Sequence, residues 1–183
     1  MKHLSLLLTC FVLLAATSLR GAADSSVTAH GASYQAAGKA IVDMVITKKV
    51  DLAVVTAKVD ILLKDSTALA EAYSKAYPAG DKLIKTVIAN IPEMKKLSYK
   101  EILTEWHDLG YFAKPGNEVG LDLKSEDNEH FTDPVHAIVH PLLVLKAAQT
   151  YAAHKKDSDL KDMKEEMEEG LEQAASLVAK LSK

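Results

Sequence analysis

His136 and His140 stand one helical turn apart in the most apolar helical stretch of the chain, Asp133-Pro134-Val135-His136-Ala137-Ile138-Val139-His140-Pro141. Imidazoles at i and i+4 share a helix face and offer two nitrogens to one transition metal, provided further ligands arrive from elsewhere. Candidates for those ligands are His107, its neighbour Asp108, and His130; four of the seven histidines fall between Glu105 and His140. Zinc or copper suits such a nitrogen-rich set. Haem b is a second option, with one histidine as axial ligand and Trp106, Tyr111 or Phe112 lining the pocket. Pro141 bears on either chemistry, because it has no N–H and so releases the carbonyl of Ala137 from its helical hydrogen bond.

A purely structural reading of the same residues competes. Buried histidines are commonly satisfied by a carboxylate, a hydroxyl or a backbone carbonyl. On that reading His136 bonds Asp133, His140 pairs with Asp108 or Glu105 across the molecule, and Trp106 and Phe112 are ordinary core. The helical wheel places the pair roughly 110° to 150° from the polar direction marked by Lys146 and Gln149, at about 100° per residue. Both imidazoles therefore point inward or into a cleft, where an unpartnered polar group is costly.

Several sharper chemistries fail on residue grounds. His136-Ala137-Ile138-Val139-His140 lacks the glutamate after the first histidine that serves as base in a zinc protease. Carboxylate-bridged di-iron bundles need paired Glu-x-x-His motifs; here only Asp127-x-x-His130 and Asp133-x-x-His136 occur. Gly31 to Gly38-Lys39 has the wrong spacing for a phosphate loop and no Ser or Thr after the lysine. There is no Gly-x-Ser-x-Gly elbow, and the acidic run Glu126-Asp127-Asn128-Glu129 lacks calcium-loop order. No nucleophile or general base has a defined partner, which argues against an enzyme.

The elements that must position these residues read as helices almost throughout. Ser33 to Ile46 carries Ala37, Ile41, Met44 and Val45 on one side. Asp51 caps a helix with Leu52, Val55, Val59, Leu62, Leu69 and Tyr73 at three- and four-residue steps, ended by Pro78 and Gly80. Asp81 is the expected cap of a third helix, stopped by Pro92. Ser98-Tyr99-Lys100-Glu101 is a capping box opening a fourth helix through about Phe112. Residues 113–132 are expected to form one long irregular stretch, either a lid or a solvated loop. Asp133 before Pro134 then reads as N-cap and first turn of a helix to about Lys155, and Asp159 to Leu181 forms an outer helix. The fold class is all-α: one antiparallel helical bundle of four to six helices.

The first residues bear on compartment. Met1-Lys2-His3, an apolar run from Leu4 to Ala16, and small residues to Ala23 follow the plan of a secretory signal peptide. The apolar run is too short to span a bilayer of roughly 30 Å. Residues 1–23 are thus expected to be a cleaved signal, and 24–183 one helical domain that is periplasmic or secreted. Cys10 sits behind Thr9, a poor fit to a lipoprotein signal. Cleavage removes that sole cysteine together with Lys2 and Arg20, making the net charge of −3 two units more negative. Thiolate chemistry and disulfides are then excluded, and the absence of a basic patch excludes nucleic acid. No transmembrane segment is expected after cleavage. The expected function is that of an exported, non-enzymatic helical-bundle protein, acting through a protein partner or a homo-oligomer at its helix faces. Metal or haem binding at the histidines is the more specific alternative, and an enzyme built on the same cluster is the third.

Overall fold

A computed structural model describes residues 25–183. The export segment expected over residues 1–23, with Cys10 in it, lies outside the described residues. Six helices pack into one all-α bundle, and the described residues contain no strand. They are α1 (25–46), α2 (Leu52–Ala76), α3 (Asp81–Met94), α4 (Tyr99–Ile102), α5 (Thr132–His154) and α6 (Asp157–Leu181). Among the described residues no helix is long and apolar enough to cross a membrane.

The α5 helix is the centre of the bundle, because a helix apolar around most of its circumference has to be enclosed by its neighbours. It packs against α2, α3, α4 and α6. Every residue from Val135 to Leu145 except His136 is buried. The polar direction expected from the wheel is real: the Lys146 ammonium reaches out to donate to the carbonyl of Lys95 at 2.6 Å. Between α5 and α6 the chain turns at Lys155, which adopts a left-handed conformation with φ 55°. The two helices then run antiparallel, tied at the far end by the Lys180 ammonium on the Asp133 carboxylate at 2.5 Å.

α1 runs antiparallel to α6 as well. Gly31 lies against Val178 so closely that an added Cβ would sit 2.5 Å from its Cγ2. At the other end Lys48 donates to Asp157 at 2.9 Å. The expected α1 face is buried at Ala37, Ile41 and Val45, and extends back through Tyr34 and Val27.

Local signals at helix starts are met where they are strongest. The Asp51 carboxylate accepts from the backbone N–H groups of Ala53 and Val54, and Ser98 with Glu101 forms a reciprocal capping box. Other expectations are corrected. Asp81 does not cap α3; it is the first residue of that helix, and its carboxylate accepts from Ser74 at 2.5 Å and Lys85 at 2.7 Å. Pro92 does not stop α3, which continues to Met94. Asp133 does not cap α5, which begins at Thr132; its side chain turns instead to Ser176 and Lys180 on α6, where a cation is available.

The stretch 113–132 is less irregular than expected. A 3-10 turn at Gly110–Ala113 leads into it, and a second, Glu126–Phe131, lies within it. Phe131 and Val119 are buried, and Leu121 and Leu123 pack against the core, which ties the stretch to the bundle. It folds over a cavity of about 540 Å³ lined by Leu109, Phe112, Val119 and Leu123.

Candidate metal centre

The expected fourth helix is cut short, and the cut positions His107. After one α-helical turn the chain widens into a π turn over Leu103–His107, in which the N–H of Asp108 donates to the carbonyl of Leu103 at 2.8 Å. Leu109 follows in a left-handed conformation with φ 60°. Such a conformation is unfavourable for a branched side chain and persists only where its surroundings hold it. The chain then passes so close to the carbonyl of Thr104 that a Cβ on Gly110 would lie 2.5 Å from it. The helix therefore stops at His107 and leaves its carbonyl free of a helical partner. The imidazole of His136 takes that place, its Nε2–H donating to the carbonyl of His107 at 3.1 Å.

His107, His136 and His140 converge. One nitrogen from each ring lies within 4.8 Å of the other two. The rings of His107 and His136 are stacked, 4.5 Å between centroids and 8° from parallel, while His140 stands edge-on to both. Of the three, His140 is the most deeply placed at 1 % exposure, and His107 and His136 are half-buried.

Each of the three rings has one nitrogen facing an oxygen acceptor. His140 Nδ1 faces the Glu166 carboxylate at 2.8 Å, His107 Nδ1 faces the Asp108 carboxylate at 3.0 Å, and His136 uses Nε2 on a carbonyl. A neutral imidazole whose one nitrogen donates has a lone pair on the other. In the neutral form of each ring, the lone pair then falls on Nε2 of His107, Nδ1 of His136 and Nε2 of His140. Burial pushes the pKa of His136 down to about 4, and the neighbouring histidines push the same way against the bond to the His107 carbonyl. His136 is therefore neutral, the form that binds metal.

Glu166 and Tyr99 complete the surroundings of His140. Glu166 accepts from His140 through one oxygen and from the Tyr99 hydroxyl through the other. Burial works against its charge, but the two hydrogen bonds outweigh burial and hold the carboxyl below its usual range. Tyr99 is driven well above the ordinary phenol range by burial and then by Glu166, so it stays protonated as the donor. Gly170 allows the approach of α6: a Cβ there would lie 3.0 Å from the His140 Cβ and 2.9 Å from the Tyr34 hydroxyl.

Of the residues expected from the sequence, His107, His136 and His140 are thus brought together. Asp108 reaches the site only through His107, its own side chain 58 % exposed. His130 is held elsewhere, its Nδ1 on the Tyr73 hydroxyl at 2.5 Å and its ring against Phe131. The carboxylates expected to satisfy the pair are not the ones used. Asp133 is engaged by Ser176 and Lys180, and Glu105 pairs with Lys114. Glu166 and Tyr99 were missed. Glu166 lies in an acid-rich helix where nothing distinguishes it from its neighbours, and only the antiparallel register of α5 and α6 singles it out.

Three nitrogens within 4.8 Å of one another suit a single ion better than a flat macrocycle. The aromatic residues proposed to line a haem pocket are packed on one another instead: Trp106 stacks on Tyr111 at 4.3 Å and meets Phe112 edge-on at 5.8 Å. Ligation by all three histidines requires a small closure. Metal–nitrogen bonds of about 2.0–2.1 Å at tetrahedral angles bring ligand nitrogens to about 3.4 Å from one another. A metal also lies in the plane of each imidazole it binds, and two stacked rings do not share such a point, so one must turn. His107 is the ring able to do so, since it is held only by an exposed carboxylate, whereas His136 is anchored on the backbone.

No family model, curated protein or solved structure matches this chain.

Proposed function

We propose that this protein binds a divalent transition-metal ion through His107, His136 and His140. The observation that carries the reading is the convergence of one nitrogen from each of three rings within 4.8 Å. One nitrogen of each ring also faces an oxygen, of the Asp108 carboxylate, the His107 carbonyl or the Glu166 carboxylate. The carboxylate of Glu166 on Nδ1 of His140 supports it, because metal-bound histidines are characteristically oriented by such a group. The site contains no sulfur, which favours zinc, copper(II) or nickel over copper(I). The role is one of binding or carriage rather than catalysis, and export, read from residues 1–23, belongs to the same proposal.

A structural role for the trio is the competing reading, favoured by the partner that each ring already has. Titration of metal-free protein with zinc and copper separates the two. Trp106 is the only tryptophan and precedes His107 in the chain, so its emission reports the site directly. Saturable binding at one ion per chain with a rise in melting temperature supports the metal reading. A melting temperature unmoved by zinc, copper or haem leaves the histidines as internal structure.

A further inference from the structure

Glu169 differs from Glu166 in a way that assigns the two carboxylates different tasks. Both belong to α6 and lie three residues apart on one face of the helix. Glu166 is 12 % exposed, and both its oxygens are engaged, by His140 Nδ1 and by Tyr99. Glu169 is 60 % exposed and approaches the other nitrogen of the same ring, its Oε2 3.8 Å from His140 Nε2. That separation is too long for a hydrogen bond. It is close to the roughly 3.4 Å that separates two ligand atoms around a tetrahedral metal with bonds of about 2.0–2.2 Å.

Resting on the metal reading above, we infer that Glu169 is the fourth ligand of the ion and the group through which the ion enters and leaves. The set becomes three neutral imidazoles and one carboxylate, with Glu166 outside it as the residue that positions His140. Such a set selects borderline divalent cations and disfavours calcium and magnesium, which require mostly oxygen ligands. Its asymmetry gives a direction of exchange. His140 lies at 1 % exposure on the buried side, while Glu169, at 60 % exposure, meets solvent at the edge of the same face of α6. When that solvent-facing carboxylate swings away it opens one coordination position, through which the ion exchanges without opening the core.

The test uses the purified protein with cobalt(II) and zinc as probes and three variants. Glu169→Gln keeps the shape and helix preference but removes the ligating charge. It is expected to weaken zinc binding about tenfold or more, the scale on which even supporting carboxylates act. It is also expected to speed release to a chelator and to change the visible spectrum of the cobalt form. Glu165→Gln, which removes the same charge from an exposed position on α6 paired with Lys161, is expected to leave all three unchanged. His140→Ala is expected to abolish binding. If Glu169→Gln keeps the parent affinity and cobalt spectrum while His140→Ala abolishes binding, the fourth-ligand inference is overturned and the three-histidine site stands. Equal weakening by the Gln variants at 165 and 169 overturns it too, in favour of a general effect of charge. A parent protein that binds neither probe overturns both readings.

Discussion

The hydroxyl of Tyr34 on α1 donates to the carbonyl of Ala137 on α5 at 3.0 Å, across 103 residues of chain. That carbonyl is the one Pro141 leaves without its helical donor. Tyr34 is fully buried, and burial raises its pKa far above the phenol range, so the proton that makes the bond is always present. The turn of α5 between His136 and His140 is therefore held by a side chain from another helix, and the two imidazoles keep their relative placement despite the proline between α5's two halves.

Tyr34→Phe is expected to cost about 1–3 kcal/mol, the penalty for leaving a buried carbonyl unsatisfied. Urea denaturation of the metal-free protein measures it. Pro141→Ala restores an N–H for the same carbonyl, so in a double-mutant cycle the cost of Tyr34→Phe should shrink in the Pro141→Ala background. Equal costs in both backgrounds would show that the phenol does not substitute for the missing helical bond.

Metal binding is expected to unstack His107 from His136. In NMR spectra the ring protons of His107 should move with zinc more than those of His136, whose position is set by its bond to the His107 carbonyl and by burial. His107→Ala should retain the fold and bind zinc more weakly than the parent. Substituting both helix histidines (His136→Ala, His140→Ala) should remove binding altogether while leaving most of the helix content by circular dichroism.

Acid should act on the metal-free fold through His136 and then Glu166. The folded pKa of His136, about 4, lies below its unfolded value near 6.5. The unfolded chain therefore takes up a proton that the folded chain refuses, and stability falls as pH drops from about 6.5 towards 4. The Glu166 pKa is lowered in the fold, so its contribution is present above the ordinary glutamate pKa and is lost at lower pH still. Denaturation midpoints measured across this range should slope down with acid, and His136→Gln should flatten the upper part of the slope. Zinc affinity should fall below roughly pH 6, because protonated imidazole cannot ligate.

Glu166→Gln should weaken zinc binding by about tenfold to a hundredfold, as expected for a carboxylate that orients a ligating histidine. Because Glu166 positions rather than ligates, the cobalt spectrum should keep its form while the affinity drops. Tyr99→Phe should have a smaller effect in the same direction, since it removes one of the two hydrogen bonds holding that carboxylate. A changed coordination spectrum in Glu166→Gln would instead place Glu166 on the metal.

Protein purified from its native source is expected to begin at Asp24 or close by, as mass spectrometry would show. A chain retaining Met1 would remove the export reading and restore Cys10 to the chemistry of the protein.

Periodicity alone determined the helical character of this chain, because apolar residues at three- and four-residue steps have to share a face and bury it. Strong local signals were legible for the same reason: Asp51 and the Ser98–Glu101 box act on backbone N–H groups within three residues. So was the His136–His140 pair, since helix geometry puts i and i+4 together wherever the helix lies. The orphaned carbonyl of Ala137 was also readable, being a consequence of Pro141 alone. The donor that fills it was not, because Tyr34 reaches it only through packing of α1 on α5. Tertiary structure likewise decided that His107 joins the pair and His130 does not. The first depends on a π turn and a left-handed Leu109, which no local propensity favours, and the second on a hydrogen bond to Tyr73. That Glu166, among the many acids of α6, faces His140 came from the register of α6 against α5. That register is set where Gly170 lets the two backbones approach at His140, a contact between residues 30 positions apart that no local pattern records.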